Sequence, residues 1–210
     1  MTERAETRQS FSALIALDSI PSIEYKEIEY SKEFFKKYLN NLDWKTPYGT
    51  GSHFSHLLFY LFLGRKFFHL PKTIYSELLD YSLQHLKNNQ REDGFWYQAE
   101  NMDIISKING SMKVFTGLKI VDKLSEINNP QKIIDTCLKY SKSQGGCNNL
   151  NVVFVLNICS RLTSYRSSEI RDFCFGQLKV YKDYYHSNQG GFSYFVNKSN
   201  THFNLSTIIV

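Results

Sequence analysis

The stretch Gln90–Tyr97, with the sequence QREDGFWY, constrains the fold most, because versions of it recur between helix-like segments. A repeat with a period of about 20 to 50 residues is typical of helical arrays. Related turns lie at residues 44–49, 145–147 and 190–192. Counting between Gly49, Gly94, Gly146 and Gly191 gives spacings of 45, 52 and 45 residues. Each period has room for one helical hairpin.

The segments on either side of these turns alternate in character. Before each turn the apolar residues have helical spacing with charges on the other face, which predicts outward-facing helices. After each turn the chain opens with polar residues and becomes apolar nearly all round, which predicts buried helices. The predicted outer helices cover residues 31–42, 73–89, 130–140 and 169–185, and the inner ones 52–63, 108–118 and 148–156, with a further inner helix expected from 201–204.

One segment also fits a strand. The run Val152–Val155 is β-branched and apolar, but a strand there would break the repeat, so we predict a helix. The fold class is therefore all-α, as one helical-repeat domain over residues 1–210, with about three and a half hairpins and a C-terminus that looks truncated.

Composition narrows the class of protein. The 210 residues are 42% hydrophobic, which suits one globular core. The net charge of +5 is spread along the chain, which argues against a nucleic-acid partner. No apolar run approaches the roughly 18 residues of a membrane span, so we expect none. The spacing of the four cysteines is not that of a metal site. We expect them to be reduced thiols, which indicates a cytoplasmic protein.

The order of outer helix, Gln-containing DG-x-W or GGF turn and buried inner helix resembles the repeat of the α/α toroid proteins. These include terpenoid cyclases, protein prenyltransferase β subunits and several polysaccharide lyases. The segments Tyr48–His56 and Ile108–Lys113 look like those of an uncharacterised bacterial toroid group often associated with surface-polysaccharide loci. The resemblance implies an incomplete toroid, since such rings close with five to seven hairpins.

The chain also departs from the characterised members. It lacks the aspartate-rich D-x-D-D motif with which squalene-type cyclases protonate their substrate. Prenyltransferases hold zinc with an Asp, a Cys and a His, and here Cys147 and His202 stand without the surrounding motif. We therefore expect no metal and no other cofactor.

In a toroid the N-terminal ends of the inner helices meet at the central cavity, where free N–H groups and positive potential gather. The polar residues that open the predicted inner helices are the candidate site. They are Ser52, His53 and His56; Asn109, Ser111 and Lys113; and Asn148, Asn149 and Asn151.

Each candidate has a functional and a structural interpretation. His53 and His56 share a helix face and suit acid/base catalysis or a metal pair, or else cap the helix. Lys113 could counter an anionic substrate such as a uronate or phosphate, or extend into solvent. The three asparagines Asn148, Asn149 and Asn151 could orient sugar hydroxyls, as could Asn109, or act as helix caps. Asp93 and Trp96 are predicted to be structural.

The leading hypothesis is a carbohydrate-directed enzyme or binding protein of bacterial polysaccharide metabolism, with His53 as acid/base and a saccharide or other small molecule as ligand. One alternative is a terpenoid or prenyl-type enzyme, favoured by the aromatic content. The other is a non-catalytic helical scaffold.

Overall fold

A computed structural model of the chain describes residues 3–140, 146–188, 190–193 and 195–196. This part of the chain is mostly helical, with antiparallel packing of helices, as predicted. The α-helices are α1 Glu3–Ala16, α2 Lys32–Asn40, α3 Pro47–Phe67, α4 Lys72–Asn89, α5 Ile104–Ile120, α6 Pro130–Leu138, α7 Gly146–Ser160 and α8 Ser167–Tyr181. Leu124–Glu126 and Lys182–Tyr184 are 3-10 turns, and β1 Tyr185–His186 pairs antiparallel with β2 Gly191–Phe192.

The chain divides into two compact units between Asn129 and Pro130. The first unit contains α1 to α5, and the second contains α6 to α8 and the short β-hairpin. Within the described ranges, no helix combines the length and apolar content needed to cross a membrane.

The outer helix α2 follows the sequence pattern closely. Ser31 caps it by accepting a hydrogen bond from the Phe34 N–H at 3.2 Å. Phe35 and Leu39 are completely buried, while the lysines of the helix face solvent. The amphipathic pattern therefore located this helix and its cap correctly.

The inner helices begin earlier than predicted. Helix α3 starts at Pro47 rather than at Ser52, because proline suits the first position of a helix, where its missing N–H is not needed. Helix α5 starts at Ile104 rather than near Ile108, because Asp103 caps it by accepting a hydrogen bond from the Ser106 N–H at 2.9 Å. The polar residues taken as openers of α3 and α5 thus lie more than one turn inside their helices, whereas Asn148 lies only two residues inside α7.

Helices α3 and α5 pack at very short range through small residues. A methyl group on Gly110 would lie 2.5 Å from Cβ of Pro47, and one on Gly117 would lie 2.9 Å from Cα of Ser55. Since the early residues of both helices meet, and the later residues of both meet, the two helices run in the same direction.

The turn at residues 90–97 is held by its own side chains, as the structural interpretation of Asp93 and Trp96 requires. The buried indole N–H of Trp96 donates to the Leu86 carbonyl at 2.9 Å. Asp93 accepts hydrogen bonds from the Phe95 N–H at 3.2 Å, and from the Tyr97 hydroxyl and the Lys107 ammonium, both at 2.9 Å.

The same turn connects segments that are distant in sequence. The Gln98 N–H donates to the Trp44 carbonyl at 3.0 Å. The side chain of Gln90 donates to the Asn128 carbonyl at 3.2 Å and accepts from the Asn128 amide at 2.9 Å. The turn therefore joins the loop before α3 to the loop before α6.

The four glycines used to count the repeat are not structurally equivalent. Gly94 has a φ of +89°, the left-handed region that favours glycine. Gly49 lies inside the first turn of α3, Gly146 is the first residue of α7, and Gly191 lies in β2. The chain is mostly helical as predicted, but α5 and α7 are not buried all round and the four glycines do not occupy a repeated structural position.

In the second unit, the segment that also fitted a strand is helical, because Val152–Val155 lies within α7. The N-terminal end of α8 is held by Arg166, which pairs with Asp135 at 2.6 Å and with Glu169 at 2.5 Å. The predicted fourth inner helix from residues 201–204 lies outside the described residues.

Candidate functional site

His56 lies on α3, which is buried on nearly all sides between Phe54 and Leu61. Only 5% of the residue is exposed. Its Nε2 lies 3.4 Å from the Ser52 hydroxyl, and its buried Nδ1 has no hydrogen-bond partner among the described residues. An imidazole nitrogen so placed is unusual, because buried polar atoms are nearly always satisfied.

The surroundings of His56 strongly disfavour the imidazolium. Burial lowers the pKa of His56 to about 3, and the positive charges of Arg8, His53, Arg4 and Lys113 act in the same direction. The side chain is therefore neutral at pH 7. A general acid needs a pKa near the working pH, so His56 in this state is not suited to that role.

His53 lies one turn earlier on α3 and is exposed. The two imidazole rings have their centroids 6.2 Å apart in an edge-on arrangement. Burial and the charge of Arg4 lower the pKa of His53. Its backbone carbonyl accepts a hydrogen bond from the Tyr38 hydroxyl at 3.1 Å, which fixes α2 against this turn of α3. Of the two histidines, His53 is the one that a solute can reach.

Lys113 on α5 faces the same part of α3. Its ammonium lies 4.7 Å from the centroid of the Tyr48 ring, and Tyr48 is 51% exposed. The charge of Lys113 also contributes to the low pKa of His56. Asn109 lies one turn earlier on α5 and is half-buried.

The sequence analysis missed two arginines of α1. Arg4 and Arg8 are one turn apart and half-buried, and both act electrostatically on His56. Arg4 donates from Nη1 to the Tyr38 hydroxyl at 2.8 Å, and its guanidinium carbon lies 5.0 Å from the centroid of the same ring. The guanidinium carbon of Arg8 lies 5.4 Å from the Phe59 ring centroid. Their i, i+4 spacing indicates that they share a helix face. The sequence does not show that this face lies beside α3.

None of these three cations has a carboxylate partner within the described part of the chain. Ion pairs form elsewhere, as at Lys107 and Arg166, but not at Arg4, Arg8 or Lys113. The Nε atoms of both arginines are buried and lack a hydrogen-bond acceptor. We call the three cations with His53 and His56 the α1–α3–α5 cluster.

No protein-family model, curated protein or solved structure matches this chain. The toroid resemblance therefore stays a prediction, and the function has to be argued from the cluster itself.

The remaining candidates lie on α7 in the second unit. Asn149 is completely buried and accepts a hydrogen bond from the Tyr140 hydroxyl at 3.1 Å, which makes it part of that unit's core. Asn148 and Asn151 are half-buried and three residues apart, so they share a helix face. Of the three asparagines, these two have surface that a ligand could contact.

Metal binding has little geometric support in the described ranges. No three His, Cys, Asp or Glu side chains there come together as ligands of one ion. Cys147 is exposed at the start of α7, and His202 lies outside the described residues. The α1–α3–α5 cluster is cationic, because it combines Arg4, Arg8 and Lys113, none of which pairs with a described carboxylate.

Proposed function

We propose that the first unit binds an acidic saccharide through the α1–α3–α5 cluster, as an enzyme or binding protein of polysaccharide metabolism. The observation that carries this proposal is that the charges of Arg4, Arg8 and Lys113 all act on the buried His56, while no described carboxylate pairs with any of the three. Burial lowers the pKa of Arg8, and a bound anion beside it would favour the charged guanidinium.

An aromatic surface beside the cations favours a sugar over a bare anion. Tyr48 is 51% exposed and lies under the Lys113 ammonium. An exposed ring gives apolar surface for the C–H face of a sugar, while its hydroxyl offers a hydrogen bond. The acidic group would then face Lys113 and the arginines.

If the protein is an enzyme, the accessible His53 is the better acid/base and His56 the orienting residue. A bound anion would raise the pKa of His53 towards neutrality, because it would offset the charge of Arg4. The catalytic residue would thus become competent only when substrate is present.

The proposal is tested by calorimetric titration of the full chain with glucuronate, glucose 1-phosphate and neutral glucose at low ionic strength. We expect the two acidic sugars to bind and glucose not to bind. The variant Lys113→Gln should weaken binding, whereas Lys119→Gln, which removes an exposed charge from the same helix, should not. Failure of both acidic sugars to bind would contradict the proposal.

A second candidate is a prenyl-type ligand with a diphosphate head group. The aromatic rings around α1 favour it, since Phe11 contacts Tyr60 with ring centroids 6.4 Å apart and Arg8 lies over Phe59. Geranyl diphosphate added to the same titration distinguishes the two candidates, because tighter binding than glucose 1-phosphate would favour the prenyl ligand.

A further inference from the structure

The second unit exposes large apolar side chains on two neighbouring helices. On α8, Phe175 and Leu178 are 59% and 61% exposed, and on α7 Leu150 is 54% exposed. Phe175 and Leu178 are three residues apart, so they share one face of α8. A group of exposed apolar side chains of this kind marks a place where another segment or molecule binds.

A cleft follows these side chains and is lined by both helices. It consists of two adjoining cavities of about 360 and 470 Å³, which share Leu150, Leu178 and Tyr181 among their lining residues. The first cavity extends along α8 to Cys174, and the second extends to Phe192 of β2. We call the two cavities together the α7–α8 cleft. Its lining is mostly apolar and aromatic, so it suits aliphatic side chains.

The chain leaves the β-hairpin beside this cleft. Phe192 and Ser193 both line the second cavity, and the Ser193 N–H donates to the Tyr184 carbonyl at 2.8 Å. That hydrogen bond fixes where the chain emerges from β2. The sequence that follows therefore starts at one end of the cleft.

The sequence after the hairpin contains a segment whose chemistry matches the cleft. Residues 197–210 are outside the part of the chain that the structure describes. Within them Leu205–Val210 has the sequence LSTIIV, which is mostly aliphatic and contains no charged side chain. The nine residues 197–205 can extend over about 30 Å, since an extended chain advances about 3.3 Å per residue. Helix α8 has 15 residues and is about 22 Å long, so the segment can reach every part of the cleft.

We propose that the α7–α8 cleft is the docking site for the chain's own segment Leu205–Val210, whose aliphatic side chains cover Leu150, Phe175 and Leu178. Burial of apolar surface supplies the attraction. The segment is attached to the unit that forms the cleft, so its effective concentration there is on the order of millimolar. It therefore outcompetes a separate molecule of similar intrinsic affinity. The proposal concerns the second unit and is independent of the acidic-saccharide proposal.

The rate at which Cys174 reacts reports whether the cleft is covered, because Cys174 lines the first cavity and is half-buried. A disulfide reagent should label Cys174 of the folded full chain at least tenfold faster in the double variant Ile208→Asp/Ile209→Asp than in wild type. Carboxylates are costly to bury, so they would keep the segment in water. The control Ser199→Asp/Asn200→Asp adds the same charges earlier in the sequence and should react at the wild-type rate.

The buried Cys137 must stay unlabelled in every variant, which shows that the second unit remains folded. Equal labelling of Cys174 in wild type and in the Ile208→Asp/Ile209→Asp variant, with Cys137 protected in both, would overturn the proposal.

A second experiment identifies the occupant of the cleft and decides the question even if the charged variant does not fold. A photo-crosslinking amino acid in place of Ile209 should react within the same chain with α7 or α8, as peptide mass spectrometry would show. The same amino acid in place of Ser199 is the control for chance contact and should give several-fold less of this product. Crosslinks from position 209 to a second copy of the chain, or no excess over the control, would show that the segment does not dock in its own cleft.

Discussion

A methyl group on Gly51 would lie 2.6 Å from the carbonyl oxygen of Gly110, so the backbones of α3 and α5 approach closely at these two residues. We expect Gly51→Ala to destabilise the protein by about 1–3 kcal/mol, because the clash is with backbone that cannot rotate away. Gly49→Ala, one half-turn earlier, meets only the Thr46 hydroxyl at 3.9 Å. It should be neutral or stabilising by about 0.5–1 kcal/mol, since alanine favours the helix. Urea unfolding of both variants would measure these two changes in the free energy of unfolding.

The stability of the protein should depend on pH through His56. The folded state keeps this imidazole neutral down to a pKa of about 3, whereas the unfolded chain protonates it near 6.5. Protons therefore favour the unfolded state below pH 6.5, and stability falls by roughly 1.4 kcal/mol per pH unit until the folded pKa is reached. His56→Gln should flatten this slope relative to wild type, as thermal melts from pH 7 to pH 4.5 would show. The exposed His69→Gln serves as the control; an equal flattening there would contradict the assignment.

Trp44 and Trp96 form a matched pair for measuring one buried hydrogen bond. Both are 1% exposed, but only the Trp96 indole N–H reaches an acceptor, the Leu86 carbonyl, among the described residues. Trp96→Phe should cost about 1–2 kcal/mol more than Trp44→Phe, because it leaves that carbonyl unpaired while the lost volume is the same. Chemical denaturation gives the difference, and equal costs would show that the hydrogen bond contributes nothing.

The Asp93 carboxylate should matter more than a surface ion pair. Burial alone would raise the pKa of Asp93, but hydrogen bonds from Lys107, Phe95 and Tyr97 outweigh burial and lower it. Asp93→Asn should cost about 1–3 kcal/mol. Glu77→Gln breaks a pair with Lys32 whose side chains are 58% and 60% exposed, and it should cost less than about 0.5 kcal/mol. Comparable losses in urea unfolding would mean that the turn tolerates a neutral side chain.

The cysteines of the second unit should differ in reactivity. Burial raises the pKa of Cys159 to about 12, and burial together with Cys159 raises the pKa of Cys137 well above its ordinary value. Only thiolates react readily, so a disulfide reagent should label the exposed Cys147 first and these two only after unfolding. Rapid labelling of Cys137 in the folded protein would show that the core of this unit opens easily.

Local sequence patterns predicted the helices better than they predicted the contacts between residues distant in sequence. Phe35 and Leu39 share a face through short-range periodicity, which a sequence displays directly. The start of α3 was wrong because Pro47 and the loop before it decide where the helix begins, and the polar Ser52 merely resembled a cap.

The composition of the cluster could not be read from the sequence. Arg4 and Arg8 lie about fifty residues before the histidines, and only the packing of α1 brings the two segments together. In the sequence Asn149 looks no different from the neighbouring asparagines. The hydrogen bond from Tyr140 nevertheless places it in the core of the second unit. Burial and long-range contact decide such roles, and neither has a local signature.

The hydrogen bonds of the turn at residues 90–98 have an evolutionary consequence. They tie Trp44, the turn and Asn128 to one another, whereas the loop after α3 is held by a bond within its own segment, from the Leu70 N–H to the Gly64 carbonyl at 3.0 Å. Residues inserted or lost after Phe68 would therefore leave the tied junction unchanged. A lineage of such chains could vary in the length of the loop after α3 while the hydrogen bonds that join Trp44, the turn and Asn128 are inherited unchanged.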